Sequence, residues 1–339
     1  MESVSIEKPP EQAGAKLWKR LAALAIGAVL LYFSFRGCDF KSFWAYASTA
    51  DPLYLLLLFF VGVISHLLRA WRWIYLLEPI ENRKVSLFNS FVAVIGGYAV
   101  NIVLPRVGEA FRLLSLSRSE KLPWAAVLAT MLIDRMLDLV LLGMFLGFTL
   151  TQMQLDSRIV QGGAVMCVCS IIGLAVLPWS GKILQAILAH ALVAQKLPAK
   201  LLEKLRGLAG QFEIGTKSLT NPRLWPMIAI LTPFIWACYW LNQEIAVLAF
   251  HMQNQITPLD SLIVFTFGSL SVLIPTPGSM GSYHYAVKTP LVNIYHVNPD
   301  QALAYVTVLH LISFILVPSV TAAVCFGIQS MKSSKNPAT

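Results

Sequence analysis

Charge is what this chain has least of: Asp, Glu, Lys and Arg make up 13% of its 339 residues, about half the share of an ordinary soluble domain. With 57% of residues hydrophobic, a water-soluble globule is excluded, because the apolar surface exceeds what one core can hide. Cysteine is also scarce. Of the five, Cys167, Cys169, Cys238 and Cys325 fall inside apolar runs, which excludes an even-numbered extracellular framework and a paired CxxC zinc spacing. The chain lacks a nucleotide-binding Gly-rich loop, a His-Glu zinc motif and a Ser/His/Asp order, so it carries no signature of hydrolytic or nucleotide-driven chemistry. No A-x-A site follows the first apolar stretch, and Arg36 interrupts the lipoprotein-like Phe35-Arg36-Gly37-Cys38; an uncleaved anchor is expected.

What is present is hydrocarbon-length apolar sequence. Leu17–Phe35, Leu53–Leu77, Trp124–Leu150, Ile159–Pro178, Leu224–Phe250 and Ala302–Ile328 each meet the roughly 20 residues needed to cross a bilayer. Leu87–Leu104 and Leu259–Ile274 are shorter, carry Gly, Ser, Thr or Asn, and run into Pro105 and into Pro275 and Pro277; they read as re-entrant half-spans. The expected fold is an all-α polytopic membrane bundle of about six full spans plus two re-entrant half-spans.

The formal charge of +9 is explained by the positive-inside rule rather than by nucleic acid. Lys8, Lys16, Lys19 and Arg20, then Arg69, Arg72, Arg83 and Lys84, then the region from Lys182 to Arg223, and finally Lys332 and Lys335 mark cytoplasmic segments. The loops 38–52, 151–157 and 251–258 are poor in Lys and Arg and are expected outside. Both termini are then cytoplasmic and the protein lies in the cell (inner) membrane. Residues 1–15 read as a disordered cytoplasmic tail, 16–330 as the membrane domain and 331–339 as a second tail. Within 180–222, Leu201, Leu205, Leu208 and Phe212 recur at helical spacing opposite Lys200, Glu203, Lys204 and Arg206. That pattern fits an amphipathic helix on the inner leaflet, or equally a linker helix packed under the bundle.

Two parts of the chain share a layout. The first runs Gly96-Gly97, Pro105-Arg106-Val107-Gly108, Pro123, then the span holding Arg135; the second runs Gly268-Ser269, Pro275-Thr276-Pro277-Gly278, Asn298-Pro299, then the span holding His310. The loop charges make the first half-span enter from the cytoplasm and the second from outside. This is a candidate inverted repeat, a construction common among alternating-access transporters.

Charges inside spans cost roughly 2.5–3.5 kcal/mol each at the bilayer centre, so they persist only when paired or wetted. Asp134, Arg135 and Asp138 fall mid-span, with the two aspartates four residues apart on one helix face. They are either a structural ion pair or part of a polar path. Arg69, Arg72, Arg106 and Arg112 are candidate phosphate ligands, since guanidinium forks grip phosphate bidentately; interfacial snorkelling is the alternative. Glu109 and Arg112 lie one turn apart. Backbone N–H groups at the glycine turns of Gly108 and of Gly278 and Gly281 are further anion donors. Glu244 sits inside its span, placed to carry a proton or pair with Arg135. His284 and His310 titrate near neutral pH when exposed, though a lone His in a span is more often a core residue. Asp134-x-x-x-Asp138 matches the end of the metal-binding motif of phosphatidyl-alcohol transferases, but its upstream elements are absent.

Taken in order, Arg69-x-x-Arg72-Trp73, Pro105-x-x-Gly108-Glu109-x-x-Arg112, Pro123 leading to Asp134-Arg135-x-x-Asp138, and Pro275-x-Pro277-Gly278-x-x-Gly281 form a set that resembles the lysylphosphatidylglycerol synthase transmembrane-region family over roughly residues 15–330. The resemblance implies a flippase-like membrane domain and lipid translocation. The soluble aminoacyl-transferase domain of the fused members has no counterpart here, so a lysyl-lipid synthase is not expected. The sequence departs from the family at His284, where an acidic residue is usual, and at His310, where Arg is common. The resulting expectation is a translocase, not an enzyme, that moves a phospholipid or other anionic headgroup between leaflets. The alternative is a membrane-embedded accessory subunit or enzyme acting on a lipid-linked glycan or lipid. No cofactor, metal or nucleic acid is expected. The expected partners are anionic membrane lipids, with a partner enzyme or a second copy also compatible.

Overall fold

The structure, a computed structural model, describes residues 11–80, 84–104, 106–153, 157–190, 195, 197–274 and 276–335. All regular structure among these residues is helical. The elements are α1 (Glu11–Phe35), α2 (Phe40–Ser48), α3 (Pro52–Leu77), α4 (Leu87–Val103), α5 (Val107–Ser119), α6 (Trp124–Gln152), α7 (Ser157–Ala189), α8 (Ala199–Thr216), α9 (Trp225–Ala249), α10 (Pro258–Leu270), α11 (Ser282–Asn293), α12 (Pro299–His310) and α13 (Val317–Lys335). A π-helical stretch, Leu311–Leu316, joins the last two.

Capping chemistry sets several of these starts. Pro52, Pro258 and Pro299 occupy the first helical position, where the missing N–H costs nothing. The residue before each supplies the cap: Asp51 accepts from Leu53 N, Thr257 forms a reciprocal capping box with Asp260, and Asn298 accepts from Asp300 N and Gln301 N. Ser86 caps α4 in the same way through Asn89 N.

Three helical stretches are long and apolar enough to cross a membrane, Pro52–Ile80, Val168–Ala189 and Pro299–Met331, and up to five if each bent pair is one span. The first bent pair is α1 with α2, which turn 88° at Gly37 (φ 74), and the second is α8 with α9, at 86°. The sequence anticipated a straight first span; the structure adds a short helix folded across its end. α6 is long enough but carries three interior charges. α7 runs through Pro178 rather than ending there, as helices in a membrane tolerate when neighbours re-satisfy the freed carbonyl. α8 packs against α6 and α7, which is the linker-helix arrangement: Arg206 donates to Leu188 O at 3.2 Å and Gln185 to Glu213 at 3.1 Å.

α3 organises the interior. Its N-terminal half, with Leu58 and Val61, shares one core with Ala246, Met252, Leu291 and Leu303. Its C-terminal half, with Ala70, Trp73 and Leu76, shares another with Ala93, Leu116, Val127 and Leu224. The α4–α5 hairpin has its base at the C-terminal end of α3, where Ser90 donates to Ala70 O at 3.1 Å. The α10–α11 hairpin has its base at the opposite end, with Ser261 of α10 accepting from Trp240 at 3.0 Å. Their tips meet: a Cβ on Gly278 would stand 3.6 Å from Ile102 Cα. Glycine makes each hairpin narrow. A Cβ on Gly97 would stand 2.9 Å from Gly108 O, and one on Gly108 would fall on Gly97 O. Gly268 similarly faces Tyr283 and Val287.

Of the segments read from sequence, residues 1–10, Arg83, Pro105, Pro275 and residues 336–339 lie outside the described residues. α1 begins at Glu11, inside the segment 1–15, and α13 continues to Lys335.

Candidate functional site

Two helices bring opposite charges face to face. On α3, Arg69 and Arg72 are one turn apart; on α6, Asp134 and Asp138 are too, and all four are buried. Arg72 grips Asp134 Oδ1 through Nε (3.0 Å) and a terminal nitrogen (2.6 Å), and the same nitrogen reaches Asp138 Oδ1 at 2.8 Å. Its other nitrogen donates to Thr232 at 3.2 Å. Arg69 bridges Asp134 Oδ2 (3.1 Å) and Asp138 Oδ2 (2.7 Å), and its Nε donates to Tyr239 at 3.0 Å.

A third guanidinium comes from α5. Arg112 donates to Asp134 Oδ2 at 3.1 Å and stacks on Trp73 at 4.0 Å from the ring centroid. Its Nε is buried and has no hydrogen-bond partner among the described residues. Trp73 is itself fixed by donating to Thr130 at 3.0 Å. Three buried arginines therefore face two buried aspartates, leaving one excess positive charge. An uncompensated buried charge is costly, and Arg112 Nε is a buried donor with no partner among the described residues.

At the rim, Arg135 pairs with Glu109 of α5, with its other terminal nitrogen 3.9 Å from Asp138. These two side chains are 38% and 39% exposed, against 0% for Asp134. Glu109 thus bonds across to α6 rather than to Arg112 one turn along its own helix. Arg106, at the N-terminus of α5 with φ 66, is exposed and stands outside the cluster.

The second hairpin tip adjoins two histidines rather than a cluster of ion pairs. His310 Nε2 donates to Gly278 O at 2.7 Å, and the rings of His284 and His310 are 4.8 Å apart. Both are buried, and His284 Nδ1 has no hydrogen-bond partner among the described residues. Tyr283 packs at a tilt against Phe314 and donates to Gln243 Oε1 at 3.1 Å. Gly281 (φ 80) lies on the Gly27 carbonyl of α1. Glu244 accepts from Ser261 at 2.5 Å, so its partner is on α10, while Arg135 is engaged by Glu109 and Asp138.

The structure thus gathers Arg69, Arg72, Arg112, Asp134 and Asp138 in one cluster with Glu109 and Arg135 at its edge, and Gly278, Gly281, His284 and His310 in a second. Tyr239, Thr232 and Trp236, the last 3.5 Å from Asp138, were not singled out from sequence. They sit in a mostly apolar helix whose pattern does not say which turn faces α3. Among the described residues no group of three or more His, Cys, Asp or Glu could hold a metal ion.

Apolar outer surfaces, opposed glycine-packed hairpins and a charged interior define a multi-pass helical membrane protein. Residues 20–319 match the lysylphosphatidylglycerol synthase TM region family, and the chain belongs to it. It is also similar to a UPF0104 membrane protein of Methanocaldococcus jannaschii, 30% identical over 103 residues, which are 30% of this chain and 30% of that protein. The matched stretch therefore spans under a third of that relative. No solved structure matches.

Proposed function

We propose that this protein is a lipid translocase, not an enzyme, in which the Arg69–Arg72–Arg112 cluster receives the anionic headgroup of a membrane lipid as it passes between leaflets. The observation that carries the reading is the excess positive charge, with the buried Nε of Arg112 free to donate. A phosphodiester oxygen is the complementary acceptor, and the low dielectric of the site strengthens that hydrogen bond. Arg135 and Glu109 stand at the rim as a pair the arriving phosphate can part, with Arg135 turning to the headgroup. The lipid tail stays in the bilayer.

The same reading makes the two hairpins re-entrant, with about six full spans around them. Hairpin bases at opposite ends of α3 and tips in contact support it. The positive loops then put both termini in the cytoplasm of an inner-membrane protein.

The test is leaflet exchange of fluorescent anionic, zwitterionic and isoprenoid-phosphate lipids in proteoliposomes, with wild type, Arg112→Lys and Arg135→Gln. Arg112→Lys keeps the charge but removes Nε and the planar stack on Trp73. It should lower anionic-lipid exchange about tenfold or more, a change of about 1.4 kcal/mol in the rate-limiting barrier. Exchange by both folded variants at the wild-type rate would sink the headgroup role of this cluster.

A further inference from the structure

The flank of the second hairpin holds a cavity of about 500 Å³, within the size range of ligand pockets. On the α10 side its wall is Phe267 and Leu270, continued past the helix end by Ile274; on the α11 side the wall runs from Tyr285 through Ala286 and Thr289 to Asn293. Met153, at the end of α6, closes the base end. No lining residue among those described is charged, and the Ser271 hydroxyl is spent on Gly268 O at 2.6 Å. The cavity therefore offers a phosphate no cationic partner.

Two of its apolar lining residues, Ile274 and Ile294, are exposed, and Val272 and Leu273, next to Ile274 in the chain, are exposed as well. In water such a surface is a liability, whereas facing hydrocarbon it is ordinary. The cavity runs along the hairpin: Leu270, Ile274 and Tyr285 lie toward the tip, where the hairpins meet, and Thr289, Asn293 and Ile294 lie toward the base. From Tyr285 to Asn293 the helix rises about 12 Å, close to the roughly 15 Å hydrocarbon depth of one leaflet.

From this we infer that the cavity is an acyl-chain groove. It takes one chain of a membrane lipid lying in the leaflet at the hairpin base, with the ester end at Asn293 and the methyl end against Leu270 and Ile274. The inference rests on the membrane placement of the second hairpin and is independent of translocation.

The experiment uses the full chain in nanodiscs of phosphatidylcholine and phosphatidylglycerol. The lipids carry a photoactivatable diazirine either near the acyl carboxyl or near the terminal methyl, and adducts are mapped by peptide mass spectrometry. The terminal probe should label Phe267, Leu270 and Ile274, and the carboxyl-proximal probe Asn293 and Ile294, each above the exposed α7 residues Val168 and Ile172 that face the same lipids. Ala286→Trp fills the groove. The added indole occupies the space the chain would fill, so groove adducts should fall severalfold while α7 adducts stay unchanged. Groove labelling no greater than that of α7, or the same residues labelled by both probes, overturns the inference on wild-type protein alone, whether or not the variant folds. The readout is lipid contact, so loss of exchange with groove labelling intact would count against translocation and leave the groove standing.

Discussion

Replacing Asp134 by Asn is the most direct probe of the buried cluster. The carboxylate is fully buried and accepts from three guanidiniums: Arg69 at 3.1 Å, Arg72 at 2.6 and 3.0 Å, and Arg112 at 3.1 Å. Asn keeps the shape but removes the charge, so three arginines face Asp138 alone and the buried excess doubles from one positive charge to two. Removing one partner of a buried ion pair costs about 3–5 kcal/mol, and a partner shared by three cations belongs at the upper end. Unfolding in detergent, followed by denaturant titration and by thermal retention of the monodisperse peak, should show the loss. Arg135→Gln is the internal control, because a half-exposed pair contributes about 0–1 kcal/mol. The double variant Asp134→Asn/Arg112→Gln restores the one-charge excess, and should recover about 1–3 kcal/mol of the single-variant loss as coupling energy. If Asp134→Asn is as stable as Arg135→Gln, or if the double variant shows no coupling, the charge-balance argument for this site is wrong.

Two other expectations follow from the hairpins. Gly108→Ala should destabilise the α4–α5 hairpin by several kcal/mol, since its Cβ falls on the Gly97 carbonyl and the backbone must part; Gly207→Ala, where a Cβ meets nothing within 4 Å, should be neutral or stabilising by up to about 1 kcal/mol, and equal melting temperatures for the two would refute the close approach. His310→Ala removes the donor that holds Gly278 O at the second tip, a bond worth about 1 kcal/mol. Hydrogen exchange should accelerate about fivefold over residues 278–285 and stay unchanged in α3, whereas uniform acceleration would mean a global rather than a tip effect.

Much of this architecture was legible because membrane helices announce themselves by length and because charge in them is rare. α3, α6 and α9 fall within a residue or two of their apolar runs. Asp134 and Asp138 stood out as mid-span charges on one helix face, whereas Arg69 and Arg72, read as charges at a cytoplasmic span end and as snorkelling or headgroup ligands, are instead buried and paired with those aspartates. What spacing could not give was pairing across helices. Glu109 and Arg112 are neighbours on one helix face, yet Glu109 bonds Arg135 and Arg112 bonds Asp134. That choice is set by how α5 packs against α6, a tertiary arrangement with no local signal in the sequence. Tyr239 was hidden for a related reason: a Tyr among Trp and Leu in an apolar helix reads as core until the facing turn of α3 is known. The break after α1 had a local cause in Gly37 and the Asp39 cap, but hydrophobicity alone does not register a change of direction.

The two hairpins repeat a geometry without repeating its electrostatics. Each is narrowed by glycine, each ends in a turn, and the turns touch; yet one adjoins three arginines and two aspartates while the other adjoins two histidines. The rings of His284 and His310 lie 4.8 Å apart, and His310 holds Gly278 O by a 2.7 Å hydrogen bond. The first tip therefore adjoins the buried guanidiniums that the proposed headgroup would meet, whereas the second adjoins a pair of imidazoles whose geometry serves to hold the turn. A headgroup that needs charge pairing would accordingly engage the first half, and substitutions at His284 or His310 should act on the turn before they act on anion binding.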